Sequence, residues 1–114
     1  MTEQKAAWSF PVLSVERVVD GDTVDLLVDV GFHLTAVQRF RLLGVDTPER
    51  GQPGWAEASE ALANWFKMSW AGELRVIARK TDSFGRWLGD VRRGDGSTAS
   101  EFLIANGFGK VYQK

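Results

Sequence analysis

The chain contains no cysteine and only one histidine among its 114 residues. Disulfides, thiolate metal sites and cysteine nucleophiles are therefore excluded, while the compartment stays open on that criterion. His33, the lone histidine, follows Phe32 in a strand connection and has no histidine partner; it reads as a surface residue, and Ser-His-Asp hydrolysis has no support. Charge of one sign is also lacking. The 14 basic and 15 acidic side chains leave a formal charge of -1, so no overall field draws the protein toward nucleic acid, which argues against a general DNA-coating protein. No run of about 18 apolar residues offers a membrane span. Residues 1–7 are polar and charged, lack the apolar stretch of a secretory signal, and are expected to form a flexible tail. With Met1 as the native start, the expected location is cytoplasmic, with no membrane partner.

What is present suits one compact domain over residues 1–114. An apolar fraction of 44% with seven Phe and five Trp is ordinary for a folded protein, and a charged fraction of 25% is average. Residues 12–19 are rich in β-branched side chains, and Val24, Leu26, Val28 and Val30 then alternate with Thr23, Asp25, Leu27 and Asp29, the period of a half-buried strand. Asp20-Gly21-Asp22 supplies the tight connection of a hairpin. A third strand is expected over residues 34–43, with Leu34, Ala36, Phe40 and Leu42 on one side and Val37, Arg39, Arg41 and Leu43 on the other.

Pro48 and Gly51-Gln52-Pro53-Gly54 break the chain into a loop. From residue 55 to 70, Ala58, Leu62, Trp65 and Met68 recur at helical spacing. Residues 73–80 and 87–92 read as two further strands joined by the polar turn at residues 81–85. Ser97 or Thr98 is placed to cap a short helix ending near Asn106-Gly107. Five short strands, a helix after the third and a short closing helix make an α+β, mainly β chain compatible with a barrel of the oligonucleotide-binding type.

Three separated segments carry reactive side chains: Asp20-Gly21-Asp22-Thr23, Arg41 through Asp46-Thr47-Pro48-Glu49, and residues 81–86 ending in Arg86. Hard cations prefer oxygen ligands, which Asp22, Asp46 and the Thr47 carbonyl can supply; Asp20 and Asp22 also read as simple turn formers around Gly21. Arg41 and Arg86 have the planar fork that grips phosphate oxygens and neutralises charge in a pentacoordinate transition state, a task lysine does less well. Taken singly, an arginine is usually a solvated surface residue or a salt-bridge partner. Glu49, held by Pro48, can take a proton from an attacking water or orient it; its structural alternative is a pairing with Arg50. Trp87 beside Arg86 is suited to stacking on a base, but its more ordinary role, like that of most of the five tryptophans, is in the core or in support of the arginine. Arg39, Arg75, Arg79, Arg92 and Arg93 are further cations that folding can gather into a local positive site.

Val18-Val19-Asp20-Gly21-Asp22-Thr23-Val24, Phe40-Arg41-Leu42-Leu43-Gly44-Val45-Asp46-Thr47-Pro48-Glu49, Thr81-Asp82-Ser83-Phe84-Gly85-Arg86 and Glu101-Phe102-Leu103-Ile104-Ala105-Asn106-Gly107 stand in that order, with a helix between the second and third. In this the chain resembles the staphylococcal (thermonuclease-like) nuclease family over residues 15–110. The resemblance implies an oligonucleotide-binding-type barrel and a Ca²⁺-dependent endonuclease, with Mg²⁺ as the alternative ion, cleaving DNA or RNA to leave 3′-phosphate ends. It implies Asp22, Asp46 and Thr47 as metal ligands, with Asp20 supporting them without touching the ion, and Arg41, Glu49 and Arg86 as the catalytic group. Phe84, Trp87 and Tyr112 are the expected substrate contacts. The expected substrate is single-stranded in preference, and the expected state is a monomer.

Phe84 stands where family members can carry tyrosine, keeping a stacking face without the hydroxyl, and Tyr112 lies near another tyrosine position. The sequence stops at Lys114, short of the family's further C-terminal helix. With the near-neutral charge, these departures point to weaker or narrower substrate binding. The alternative reading is a barrel that binds nucleic acid or protein without cleaving it, since fold does not dictate function.

Overall fold

The computed structural model describes residues 8–69, 73–80 and 86–112. The expected tail at residues 1–7 and the turn at residues 81–85 with Phe84 lie outside the described residues. In chain order the elements are β1 (Trp8–Asp20), β2 (Thr23–Gly31), β3 (Leu34–Leu42), β4 (Val45–Asp46), α1 (Trp55–Lys67), β5 (Arg75–Lys80), β6 (Trp87–Arg92), α2 (Ala99–Ala105) and β7 (Lys110–Val111). Strands β1, β2, β3, β6 and β5 close into a barrel in that order, and β4 pairs separately with β7. The five-stranded barrel of oligonucleotide-binding type with two helices is thus the architecture that the sequence pattern suggests.

Closure depends on the length of β1. Its first residues pair with β5, from Trp8 opposite Ala78 to Pro11 opposite Arg75, while the rest pairs with β2 from Val12 opposite Val28 to Asp20 opposite Thr23. One strand therefore serves two neighbours. Three register shifts along the β1–β2 ladder are bulges, which sharpen the twist a small barrel needs. The strand expected at residues 12–19 starts earlier because residues 8–11 gain their hydrogen bonds from β5, a pairing distant in sequence. The barrel is completed by the parallel pairing of β3 with β6, Phe40 opposite Trp87 and Leu42 opposite Gly89.

Alternation in β2 holds where the barrel covers it: Val24, Leu26 and Val28 are buried, joined by Val12, Phe40, Leu42, Val76, Ala78 and Val91. In β3 the expected face is only half realised. Phe40 and Leu42 are buried, but Leu34 is 60% exposed and Ala36 is exposed as well, because the β2–β3 hairpin runs out beyond the barrel.

Helix α1 buries Ala58, Ala61, Leu62, Trp65 and Phe66 and packs on β1 and α2. It stops at Lys67, sooner than the apolar spacing suggests. Ser69 turns back to bond the Trp65 carbonyl through its hydroxyl at 2.7 Å, and Met68, expected on the buried face, caps the helix and is exposed. Trp65 is the largest fully buried side chain, so its truncation to Ala would cost about 3–5 kcal/mol. Thr98 is the cap of α2: its hydroxyl accepts from the Glu101 N–H at 3.2 Å, and Glu101 Oε1 accepts from the Thr98 N–H at 3.1 Å.

Candidate functional site

The β1–β2 turn brings Asp22 under the strand that carries Asp46. Gly21 makes this approach possible, since a Cβ there would lie 2.7 Å from the Ala58 Cβ and 2.9 Å from the Thr47 Oγ1. Asp22 is buried, and its Oδ2 accepts the Thr47 backbone N–H at 3.0 Å while Oδ1 accepts the Thr23 hydroxyl at 3.1 Å. Its main partner is therefore a loop distant in sequence, which a turn former alone would not need.

Arg41 lies between the two acids. Its Nη1 donates to the carbonyls of Leu42 and Val45, both at 2.8 Å, and its Nη2 lies 3.4 Å from Asp22 Oδ2 and 3.3 Å from Asp46 Oδ1. The side chain is 16% exposed, and the Tyr112 ring covers the guanidinium at 5.4 Å. Fixed carbonyls set the orientation of the fork, so little rotamer freedom remains to be lost on binding a phosphate.

Two carboxylates share one guanidinium here, leaving local negative charge of the kind a hard cation relieves. Among the described residues no group of three or more His, Cys, Asp or Glu gathers. A cation at this place would have two carboxylates, with backbone oxygens and water completing its shell, a donor set that fits Ca²⁺ and tolerates Mg²⁺. Thr47 is buried, and its Oγ1 has no hydrogen-bond partner among the described residues.

Arg86 reaches the same region from the start of β6. Thr23, Gln38, Arg39, Arg41, Arg86 and Trp87 line one groove of about 200 Å³. Three arginines thus gather locally on a chain with no net positive charge, which the sequence left open. Trp87 is half-buried, packs against the core and meets Trp8 edge to face at 5.6 Å, so it joins both the core and the groove wall. Arg93 instead covers Trp65 at 4.6 Å, and Arg75 bonds the Ser9 hydroxyl at 2.7 Å.

Glu49 and Asp20 are not among the residues that line this groove. Glu49 is exposed, and its backbone is fixed by Gln52: the Glu49 N–H donates to Gln52 Oε1 at 2.8 Å and the Glu49 carbonyl accepts the Gln52 N–H at 2.9 Å. Asp20 accepts the Trp55 indole N–H at 2.6 Å, which ties the first strand to the start of α1, and Arg50 stacks on that indole at 5.0 Å. Asp20 thus makes a scaffold contact, and Arg50 pairs with Trp55 in this arrangement.

Several supports escape sequence reasoning. The Ser100 hydroxyl lies 2.6 Å from the Leu43 carbonyl and 3.0 Å from Asp90 Oδ1, so α2 holds the start of the Asp46 loop from behind. Burial pushes the Asp90 carboxyl above the ordinary range, opposed by hydrogen bonds from Ser100. The Tyr112 N–H donates to the Gly44 carbonyl at 3.0 Å, and β7 pairs with β4. A Cβ at Gly109 would lie 2.6 Å from Val45 Cγ2, so Gly109 lets the ending of the chain lie flat on the loop. Gly109, directly before β7, is a usable signal for a close approach; Ser100 and Gln52 carry none.

The sequence is similar to those of several known proteins. Protein ParB of Escherichia coli is 38% identical over 85 residues, covering 75% of this chain and 44% of that protein. The micrococcal nuclease of Shigella flexneri is 35% identical over 85 residues, with the same two coverages of 75% and 44%. An uncharacterized endonuclease of Escherichia coli O157:H7 is 29% identical over 94% of this chain and 69% of its own length. The chain thus spans less than half the length of the first two relatives. The family described as staphylococcal nuclease homologue matches residues 39–114, which include Arg41, Asp46, Thr47, Glu49 and Arg86. With that match over two thirds of its length, the chain belongs to the staphylococcal nuclease homologue family.

Proposed function

We propose that this protein is a metal-dependent nuclease that hydrolyses phosphodiesters of DNA or RNA within the chain and leaves 3′-phosphate ends. The observation that carries the reading is the seat of Arg41: its guanidinium is locked between Asp22 and Asp46 and shares one groove with Arg86. A barrel that only binds would not need a half-buried arginine oriented by two carbonyls and two acids.

Asp22 and Asp46, with the Thr47 carbonyl, would hold Ca²⁺ or, less suitably, Mg²⁺. The bound ion would supply positive charge next to the phosphate. Arg41 and Arg86 grip the non-bridging oxygens and stabilise the charge that grows as phosphorus becomes pentacoordinate. Glu49 orients the attacking water and takes its proton as the new P–O bond forms. The bond from phosphorus to the 5′ oxygen of the next nucleotide breaks, that oxygen acquires a proton, and the phosphate stays on the 3′ side. Exposure of Glu49 on a loop braced by Gln52 and Pro48 lets its carboxylate meet solvent water.

Purified protein incubated with single-stranded DNA and with RNA in Ca²⁺, Mg²⁺ or chelator tests the reading. Cutting in Ca²⁺, none in chelator, and new ends that lose phosphate to a 3′-phosphatase are expected. Absence of cutting under every metal would leave the non-catalytic binding barrel as the better account. Binding of Ca²⁺ followed by calorimetry, and its loss in Asp22→Asn, tests the ion site without recourse to activity.

A further inference from the structure

Besides the two arginines assigned to the scissile phosphate, the groove is lined by Thr23, Gln38, Arg39 and Trp87. Arg39 and Arg41 stand two residues apart on β3, so they leave the same face of the strand at roughly 7 Å spacing. That is comparable with one nucleotide step along an extended single strand. The two guanidiniums differ in setting. Arg41 is 16% exposed and engaged by backbone and acids, whereas the Arg39 side chain is 56% exposed.

Arg39 is nevertheless held in place. Its Nε donates to Asp25 Oδ1 at 2.8 Å and its Nη2 to Asp25 Oδ2 at 3.1 Å, a forked pairing with the residue directly opposite on β2. The fork uses one edge of the guanidinium. Nη1 has no hydrogen-bond partner among the described residues and remains available as a donor. The Arg39 hydrogen bond holds the Asp25 carboxyl below the ordinary range, so the clamp stays ionised at neutral pH. A surface ion pair alone would account for Asp25 and Arg39. It does not account for a third arginine on the wall of a groove that already holds Arg41 and Arg86.

We infer that Arg39, clamped by Asp25, binds the phosphate adjoining the scissile one in a single-stranded polynucleotide. The substrate class is therefore a strand with at least two consecutive phosphates. This rests on the nuclease reading for its choice of ligand, but its test does not require cleavage.

The probe is a short fluorescent oligothymidylate titrated in chelator over a range of salt concentrations. Each phosphate contact to a single strand adds about 0.7 to the slope of log affinity against log salt. Arg39→Gln should weaken binding and lower that slope by about 0.7. Arg39→Lys should keep the slope, because the charge remains. Arg75→Gln removes the same charge at Ser9, outside the groove, and should leave the slope unaltered. Equal losses in Arg39→Gln and Arg75→Gln, or an unaltered slope in Arg39→Gln with its melting temperature intact, would overturn the inference. If the wild type binds with the predicted pattern yet never cuts, the nuclease reading fails and the phosphate site stands.

Discussion

The β2–β3 ladder passes through two different environments. At one end Thr23 faces Arg41 and Val24 faces Phe40, beside the Asp22 and Asp46 carboxylates that flank Arg41. At the other, Gly31 faces Leu34, Phe32 is 94% exposed, and Val37 is 59% exposed. Strand pairing is the same in both. What differs is what arrives later in the chain: Thr47 on Asp22, Ser100 on Leu43, Tyr112 on Arg41 and Gly44. Backbone pairing therefore sets where residues stand, and ties from distant segments decide which of them are held rigidly enough for chemistry.

The largest test of that contrast is turnover. Glu49→Gln and Arg86→Ala are each expected to lower kcat by at least about 10²-fold, as general acid-base and electrostatic groups do. Arg41→Lys should fall as steeply, because one ammonium cannot reproduce contacts made by two ends of a fork. Phe32→Ala, at the projecting end of the same ladder, should leave kcat within about twofold, as surface substitutions rarely matter. Steady-state rates on one oligonucleotide compare all four. Comparable losses at both ends would break the distinction.

Next in size is the packing that seats the loop. Gly109→Ala forces a methyl toward Val45 Cγ2 and the Asp46 carbonyl oxygen, 3.2 Å away, so the loop or β7 must move. A cost of about 1–3 kcal/mol is expected for such overpacking. Calorimetric Ca²⁺ affinity should fall along with the denaturant midpoint. A fall in stability with unchanged Ca²⁺ affinity would show that β7 stabilises the fold without positioning Asp46.

Ser100 and Asp90 provide a subtler test from behind the loop. Ser100→Ala removes the donor to the Leu43 carbonyl, with an expected cost of about 1–3 kcal/mol. Asp90 adds a pH dependence. Burial raises its pKa in the folded state, so its protonated form is favoured there: the associated stability is complete below the ordinary value of 3.8 and is lost as pH rises through the raised value. Asp90→Asn cannot ionise. Its stability relative to wild type should therefore improve as pH climbs above about 4, read from chemical denaturation at several pH values. Parallel curves would remove Asp90 as the source of that dependence.

Much of this was legible because local signals coincided with tertiary need. Alternation placed Val24, Leu26 and Val28 inside, and Thr98 and Gly107 bounded α2 as capping rules require. Asp22, Arg41, Asp46 and Thr47, chosen by residue type and order, do meet in space. Other features depend on pairings that no short window contains. The extension of β1 to Trp8 needs β5, and the pairing of β4 with β7 joins two-residue strands far apart in the chain. Leu34 misled because alternation marks a face without saying where the barrel ends. Arg39 looked like one surface arginine among several until the register set it beside Asp25 and in the groove.

The smallest predicted effect lies at the hairpin tip and has the opposite sign. Phe32 and His33 adopt φ values of 58° and 63°. Two positive-φ central residues suit the right-handed twist of a hairpin, but Asn-Gly fills them with far less strain than a bulky pair. Each L-residue with a bulky side chain held there costs roughly 1–2 kcal/mol. Since Phe32 is almost fully exposed, its removal forfeits little burial. Phe32→Asn combined with His33→Gly is therefore expected to raise stability by about 1 kcal/mol, the relief at the turn being partly offset by the greater freedom of glycine in the unfolded chain. Urea denaturation gives the sign directly. A loss of stability would mean that the exposed ring makes contacts worth more than the strain, and the projecting end of the ladder would no longer be the unconstrained one.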